Sequence, residues 1–249
     1  MPQPAHVVVV AIENHAFGEV LGSSSAPYLN GLAVRGATLT QFYAITHPSE
    51  PNYLALFSGS TQGLTSDACP MRYAGANLAS SLLDAGKTFT GYAEDLPRSG
   101  FTGCSSGDYA QKHCPWINFT SVPARVSQPM SSFPSDYASL PTVSFVIPNL
   151  RHDMHDGTVA QADSWLQQHL SGYASWAEAH NSLLIVTADE DDESTDNRIP
   201  AIISGAGVKA GQYGQHYNLY SLLRLIEDMY RLPRIANSAD ATPINGVWA

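Results

Sequence analysis

Basic charge is scarce in this chain. Its 249 residues hold 12 Lys and Arg against 22 Asp and Glu, a formal net charge of −10. That balance excludes the electrostatic footprint a nucleic acid or an anionic membrane surface needs, so no nucleic-acid partner is expected. Long apolar runs are also missing. No stretch approaches the roughly 20 residues of a membrane-spanning helix, so no membrane span is expected. Met1-Pro2-Gln3-Pro4 has neither a basic nor an apolar leader segment, and no signal peptide is visible. Cysteine is rare, with three residues at Cys69, Cys104 and Cys114. The odd count, in a neighbourhood rich in glycine and serine (Gly100, Gly103, Ser105, Ser106, Gly107), predicts one disulfide and one free thiol. A disulfide in turn points to a mature secreted or periplasmic chain.

What the chain does have is an alternation of short apolar runs and amphipathic stretches. His6–Ile12, Thr38–Ala44, Phe89–Ala93, Val143–Ile147, Leu183–Thr187 and Ile199–Ser204 read as strands. Pro27–Leu32, the segment from Ser49 to Gly59, Asn77–Ala85, Ala160–Ala179 and Leu219–Tyr230 read as helices. Gly172 suggests a bend within the fourth of these. The pattern predicts an α/β fold, a mainly parallel central sheet with helices on both faces. With no internal repeat or low-complexity linker, residues 1–249 read as a single domain. Residues 95–137 carry few periodic signals and many Gly, Ser and Pro, which predicts a long loop-rich excursion near the site.

Two strands end abruptly in oxygen-bearing side chains. Val7–Val10 runs through Ala11-Ile12 into Glu13-Asn14, and the strand at Leu183–Thr187 runs through Ala188 into Asp189-Glu190-Asp191-Asp192. Ligands of open α/β sheets bind at the carboxyl ends of the strands, so both sets point to one shared site. A carboxylate beside a carboxamide suits a hard divalent cation, and consecutive carboxylates repel one another unless a cation neutralises them. Ser49 stands where a helix N-cap is expected, with backbone N–H groups and the helix dipole favouring an anion. A serine whose alkoxide is stabilised by a metal can attack phosphorus without a histidine base. Asn149-Leu150-Arg151-His152-Asp153-Met154-His155-Asp156 follows a strong strand, and its two histidines can hydrogen-bond phosphate oxygens or act as general acids. His113 lies in the excursion as a further candidate, and His216 reads as a solvated loop histidine.

Taken together these segments resemble the bacterial phosphoesterase family of secreted acid phosphatases and phospholipases C, within the alkaline-phosphatase-like superfamily. The residues that carry the resemblance are Glu13-Asn14-His15, His47-Pro48-Ser49-Glu50-Pro51-Asn52-Tyr53, Lys112-His113, Pro115-Trp116, Pro148-Asn149, His152–Asp156, Asp189-Glu190 and Tyr220-Ser221-Leu222-Leu223-Arg224. The resemblance implies an alkaline-phosphatase-like fold and one divalent metal ion (Ca, Mg, Mn or Zn) held by Glu13, Asn14, Ser49, Asp189 and Glu190. It also implies phosphate contacts from His113 and from His152 or His155, one of which serves as the acid for the leaving group. The reaction implied is hydrolysis of a small phosphorylated substrate, a phosphate monoester, through a phosphoserine at Ser49. A phosphodiesterase or phospholipase C reaction on lipid head groups, and a non-catalytic metal- or anion-binding relative, are the rival expectations. Two positions depart from the family. Leu219 stands where a histidine is common, and Cys114 where asparagine is common, which leaves Cys104 to pair with Cys69 or Cys114.

Overall fold

Val7–Ile12 is buried at every position. Alternate residues of a strand point to opposite faces, so a strand buried throughout must be covered on both sides. That condition sets the architecture. A computed structural model describes residues 1–194 and 196–249. In chain order its elements begin β1 (His6–Ile12), α1 (Phe17–Val20), α2 (Pro27–Arg35), β2 (Ala37–Leu39), β3 (Phe42–Tyr43) and α3 (Ser49–Ser58). Next come α4 (Leu78–Asp84), β4 (Phe89–Ala93), the short pair β5 (Ser105–Ser106) and β6 (Tyr109–Ala110), β7 (Ser127–Pro129) and β8 (Val143–Ile147). The chain then forms α5 (Val159–Ala179), β9 (Ser182–Ala188), β10 (Ala201–Gly205), β11 (Gly211–Tyr213), β12 (Tyr217–Asn218) and α6 (Leu219–Tyr230).

The main sheet has the order β11-β2-β10-β9-β1-β8-β4-β7. Among the described residues only β10 runs against the rest of this sheet, antiparallel to both β9 and β2. The helices form two packed groups, α2 with α5, and α3 with α4 and α6. The mainly parallel α/β expectation therefore holds. The segment expected as one strand over Thr38–Ala44 divides in two, because the chain leaves the main sheet after Leu39 and β3 pairs with β12 instead. Helix α5 is uninterrupted at Gly172, where a Cβ would lie 2.6 Å from the Tyr137 hydroxyl. The glycine there admits a close neighbour.

Register positions the site. Ile12 pairs directly with Ala188 across the parallel β1–β9 ladder. The next residues, Glu13 and Asp189, therefore leave the sheet side by side at its carboxyl edge. The Asp189 N–H donates to Ile12 O at 3.1 Å and the Glu13 N–H to Asp153 O at 2.7 Å, which fixes both turns. On the far side of β1, strands β8 and β4 end at Ile147 and Ala93 on the same edge.

The 95–137 excursion is ordered despite its lack of periodicity. Cys69 and Cys104 form the disulfide, and Cys114 is a free, buried thiol. Trp116 lies flat on Gly91 in β4, where even a Cβ would meet the indole ring at 2.2 Å. Only glycine leaves room for the ring. β7, inside the excursion, adds an edge strand beside β4.

Candidate active site

Ser49 is the first residue of α3, and Pro48 occupies the cap position. The serine is thus one residue inside the helix rather than at the N-cap expected of it. Among the described residues its Oγ makes no hydrogen bond to the backbone and meets two acids and a carboxamide. It lies 2.8 Å from Glu190 Oε1, 3.1 Å from Glu13 Oε2 and 3.5 Å from Asn14 Oδ1. The Asn14 N–H donates to Asp189 Oδ1 at 3.4 Å. The five residues expected to ligate a metal are therefore brought together from three turns at one sheet edge.

The chemistry of this set fits a cation. Glu13, Ser49, Asp189 and Glu190 are all buried. Ser49 offers one proton to three acceptor oxygens. Burial pushes the Glu13 carboxyl well above its usual range, and the charges of Asp189 and Asp153 push the same way. Asp189 is raised well above its usual range by burial and by the Glu190 charge, and its Oδ2 is buried without a hydrogen-bond partner among the described residues. Glu190 is raised by burial, against the hydrogen bond from Ser49 and the nearby His47. Carboxylates raised in this way resist ionisation together, and a divalent cation is what reverses that logic. The Asn14 carboxamide says the same. With its oxygen toward the cluster it meets only acceptors, and with its nitrogen there it donates to Glu13 Oε2 and Glu190 Oε1 at 3.2 Å. A cation among these oxygens favours the first orientation.

Beside the oxygen cluster lies a histidine wall. His113 is buried, with Nε2 3.4 Å from Glu13 Oε2 and Nδ1 3.2 Å from Asp153 Oδ2. Its ring stacks on Tyr53, whose hydroxyl donates to Glu13 Oε1. Burial holds the His113 pKa well below its usual value, reinforced by Lys112 and His155. Ring nitrogens of His113 and His155 and a Glu13 oxygen lie within 4.8 Å of one another, a spacing that could hold a metal ion. His155 Nδ1 meets Asp156 Oδ1 at 2.8 Å.

His152 goes elsewhere. Its Nδ1 meets Glu94 Oε2 at 2.9 Å, and its ring stacks over Trp165. No hydrogen bond, ion pair or ring contact among the described residues joins it to the acids around Ser49. His216 stacks on Tyr43 at 4.6 Å and likewise lies apart. Several participants were given no role in the site by sequence reasoning. His47 bridges Glu190 Oε2 at 2.6 Å and Asp191 Oδ1 at 3.3 Å. Asp153, Tyr53, Lys112 and Asp67 also join the site's edge. The available signal was proximity in sequence. His47 precedes Ser49 by two residues, Tyr53 follows it by one helical turn, and Lys112 adjoins His113.

Comparison with known proteins gives this geometry its setting. A model of the phosphoesterase family matches residues 23–233. Over its full length the chain is 52% identical to a phosphatidylinositol-3-phosphatase of Mycobacterium tuberculosis, of which it covers 84%. An acid phosphatase of Aspergillus fumigatus is 32% identical over 82% of this chain, which spans 50% of that relative. A solved structure in the alkaline phosphatase superfamily from Vibrio parahaemolyticus superposes with a TM-score of 0.64 at 11% identity, over 98% of this chain and 71% of that one. That last likeness establishes the fold alone. The chain is a hydrolase of phosphoric esters, and it belongs to the phosphoesterase family.

Proposed function

We propose that the chain is a phosphomonoesterase, a single phosphoesterase domain that works with one divalent cation and a phosphoserine intermediate at Ser49. The observation that carries this reading is the placement of Ser49 Oγ among Glu13, Asn14 and Glu190 at 2.8–3.5 Å, at the first turn of a helix. Glu13, Asn14, Ser49, Asp189 and Glu190 would hold the ion, whose chemistry is to acidify the serine hydroxyl and polarise a phosphoryl oxygen. Ser49 Oγ bonds to phosphorus as the bond to the alcohol oxygen breaks. His155, oriented by Asp156, gives the leaving oxygen its proton from Nε2 when that nitrogen carries a proton in place of the hydrogen bond from Lys112. Water then attacks the phosphoserine, the Oγ–P bond breaks, and inorganic phosphate leaves. Buried His113 has Nε2 3.4 Å from Glu13 Oε2 and, among the described residues, no hydrogen bond there, which leaves that nitrogen to contact a phosphate oxygen. Of the two histidines first considered for the acid, His155 is the one this reading uses, while His152 holds Glu94.

The names of the relatives, a phosphatidylinositol-3-phosphatase and acid phosphatases, support a monoester substrate. The Cys69–Cys104 disulfide supports placing the protein in an oxidising compartment outside the cytoplasm. The test is phosphate release from an aryl phosphate by metal-stripped protein with divalent cations restored singly. One cation should restore turnover in the native chain and none in Ser49→Ala. Turnover without metal, or undiminished turnover in Ser49→Ala, rejects the reading.

A further inference from the structure

Lys112 is half-buried against an acidic site in a chain with few basic residues. Its ammonium has three N–H donors. One is used by Asp67 Oδ2 at 2.7 Å and a second by His155 Nε2 at 3.2 Å. The His155 contact has a defined sense. With Nδ1–H directed to Asp156, Nε2 of the neutral ring is an acceptor. Among the described residues no hydrogen bond uses the third donor.

The lysine is also anchored to the nucleophile's own helix. Asp67 Oδ1 accepts the backbone N–H of Glu50 at 2.9 Å, the residue directly after Ser49. The path Glu50–Asp67–Lys112–His155 thus holds the ammonium relative to Ser49. Two residues after Asp67 the chain is pinned by the Cys69–Cys104 disulfide. Burial works against the ammonium, but the Asp67 hydrogen bond and the charges of Asp67, Glu13 and Asp189 outweigh it and keep its pKa above the usual lysine value. The Lys112 charge in turn reaches Glu13 and Asp153.

We propose that Lys112, positioned by Asp67, gives its third N–H to a non-bridging oxygen of the substrate and thereby selects phosphate monoesters over diesters. The inference rests on the reading of Ser49 as the site of phosphoryl transfer. A monoester dianion has three non-bridging oxygens and two charges, whereas a diester has two such oxygens and one charge. A fixed ammonium favours the doubly charged species, and the ester carbon of a diester would leave the third donor unpaired in a partly buried place.

The experiment compares kcat/KM for an aryl phosphate monoester and its methyl diester in native protein, Lys112→Ala, Lys112→Arg and Asp67→Asn. Lys112→Ala should lose about 100-fold or more on the monoester and less than about tenfold on the diester. Lys112→Arg should restore part of the ratio, and Asp67→Asn should shift it in the Lys112→Ala direction by a smaller factor. Calorimetry supplies a readout independent of turnover. Binding of inorganic phosphate should weaken about tenfold in Lys112→Ala while binding of dimethyl phosphate stays unchanged. Equal losses on both esters, or equal weakening of both anions, overturns the proposal, and so does an unchanged monoester rate. Should Lys112→Ala fail to fold, Asp67→Asn and Lys112→Gln carry the same comparison. Retained turnover in Ser49→Ala would instead remove the reading beneath it, whatever the Lys112 ratio shows.

Discussion

The carboxyl edge of β1 and β9 and the excursion over 95–137 solve the same problem, holding polar groups in fixed places, by opposite means. At the edge, a parallel ladder in register delivers Glu13 and Asp189 side by side, and backbone hydrogen bonds fix the turns. In the excursion there is little regular ladder. A disulfide, a tryptophan on a glycine and a run of short 3-10 turns hold His113 and Lys112 in place. The first arrangement depends on backbone pairing in register between strands, the second on side-chain contacts. Damage to the edge should therefore remove chemistry and leave the fold, whereas damage to the excursion should cost stability first.

Ser49→Ala tests the edge most severely. Turnover should fall by about 10⁴-fold or more while the thermal unfolding midpoint changes little, as read by phosphate release and calorimetry on the same preparation. Trp116→Ala tests the excursion. The ring is fully buried against Phe89, Phe145 and Gly91, so its removal should cost about 3–5 kcal/mol in denaturant unfolding. A loss below about 1 kcal/mol would show that the excursion is not held by this ring. Replacing both Cys69 and Cys104 by serine opens a link between residues 35 apart and should cost about 2–4 kcal/mol. Wild-type protein under reductant should show the same loss.

The smallest effect lies away from both regions. Burial pushes the Glu227 carboxyl up to about 7, against the hydrogen bonds from Ser238 and Ile235. Between about 4.5 and 7 the native state keeps this proton while the unfolded chain has released it. Stability contributed by this group thus falls as pH rises through that window. Glu227→Gln should flatten the trend, and an unchanged pH profile of unfolding would contradict it.

The edge was legible in the sequence because a buried strand followed at once by acids has few other uses. Glu13, Asn14, Asp189 and Glu190 could be read from their own neighbours, and Ser49 from the helix that follows it. The Cys69–Cys104 pairing could not be read, since nothing local distinguishes Cys69 from Cys114. Nor could the separation of His152 from His155. Three residues apart in one loop, they diverge because Glu94, 58 residues away in sequence, captures His152. The roles of His47, Asp67 and Lys112 were hidden for the same reason, each acquiring its role from a partner on another segment. Periodicity reports on burial along an element, and it is silent on which side chains meet across elements.

If phosphorus visits Ser49 on its way to water, the stereochemistry at phosphorus records it. A substrate made chiral at phosphorus with oxygen isotopes should transfer its phosphoryl group to an acceptor alcohol with net retention, because two in-line displacements each invert the centre. Net inversion would mean direct attack on the substrate, and Ser49 would not be the nucleophile.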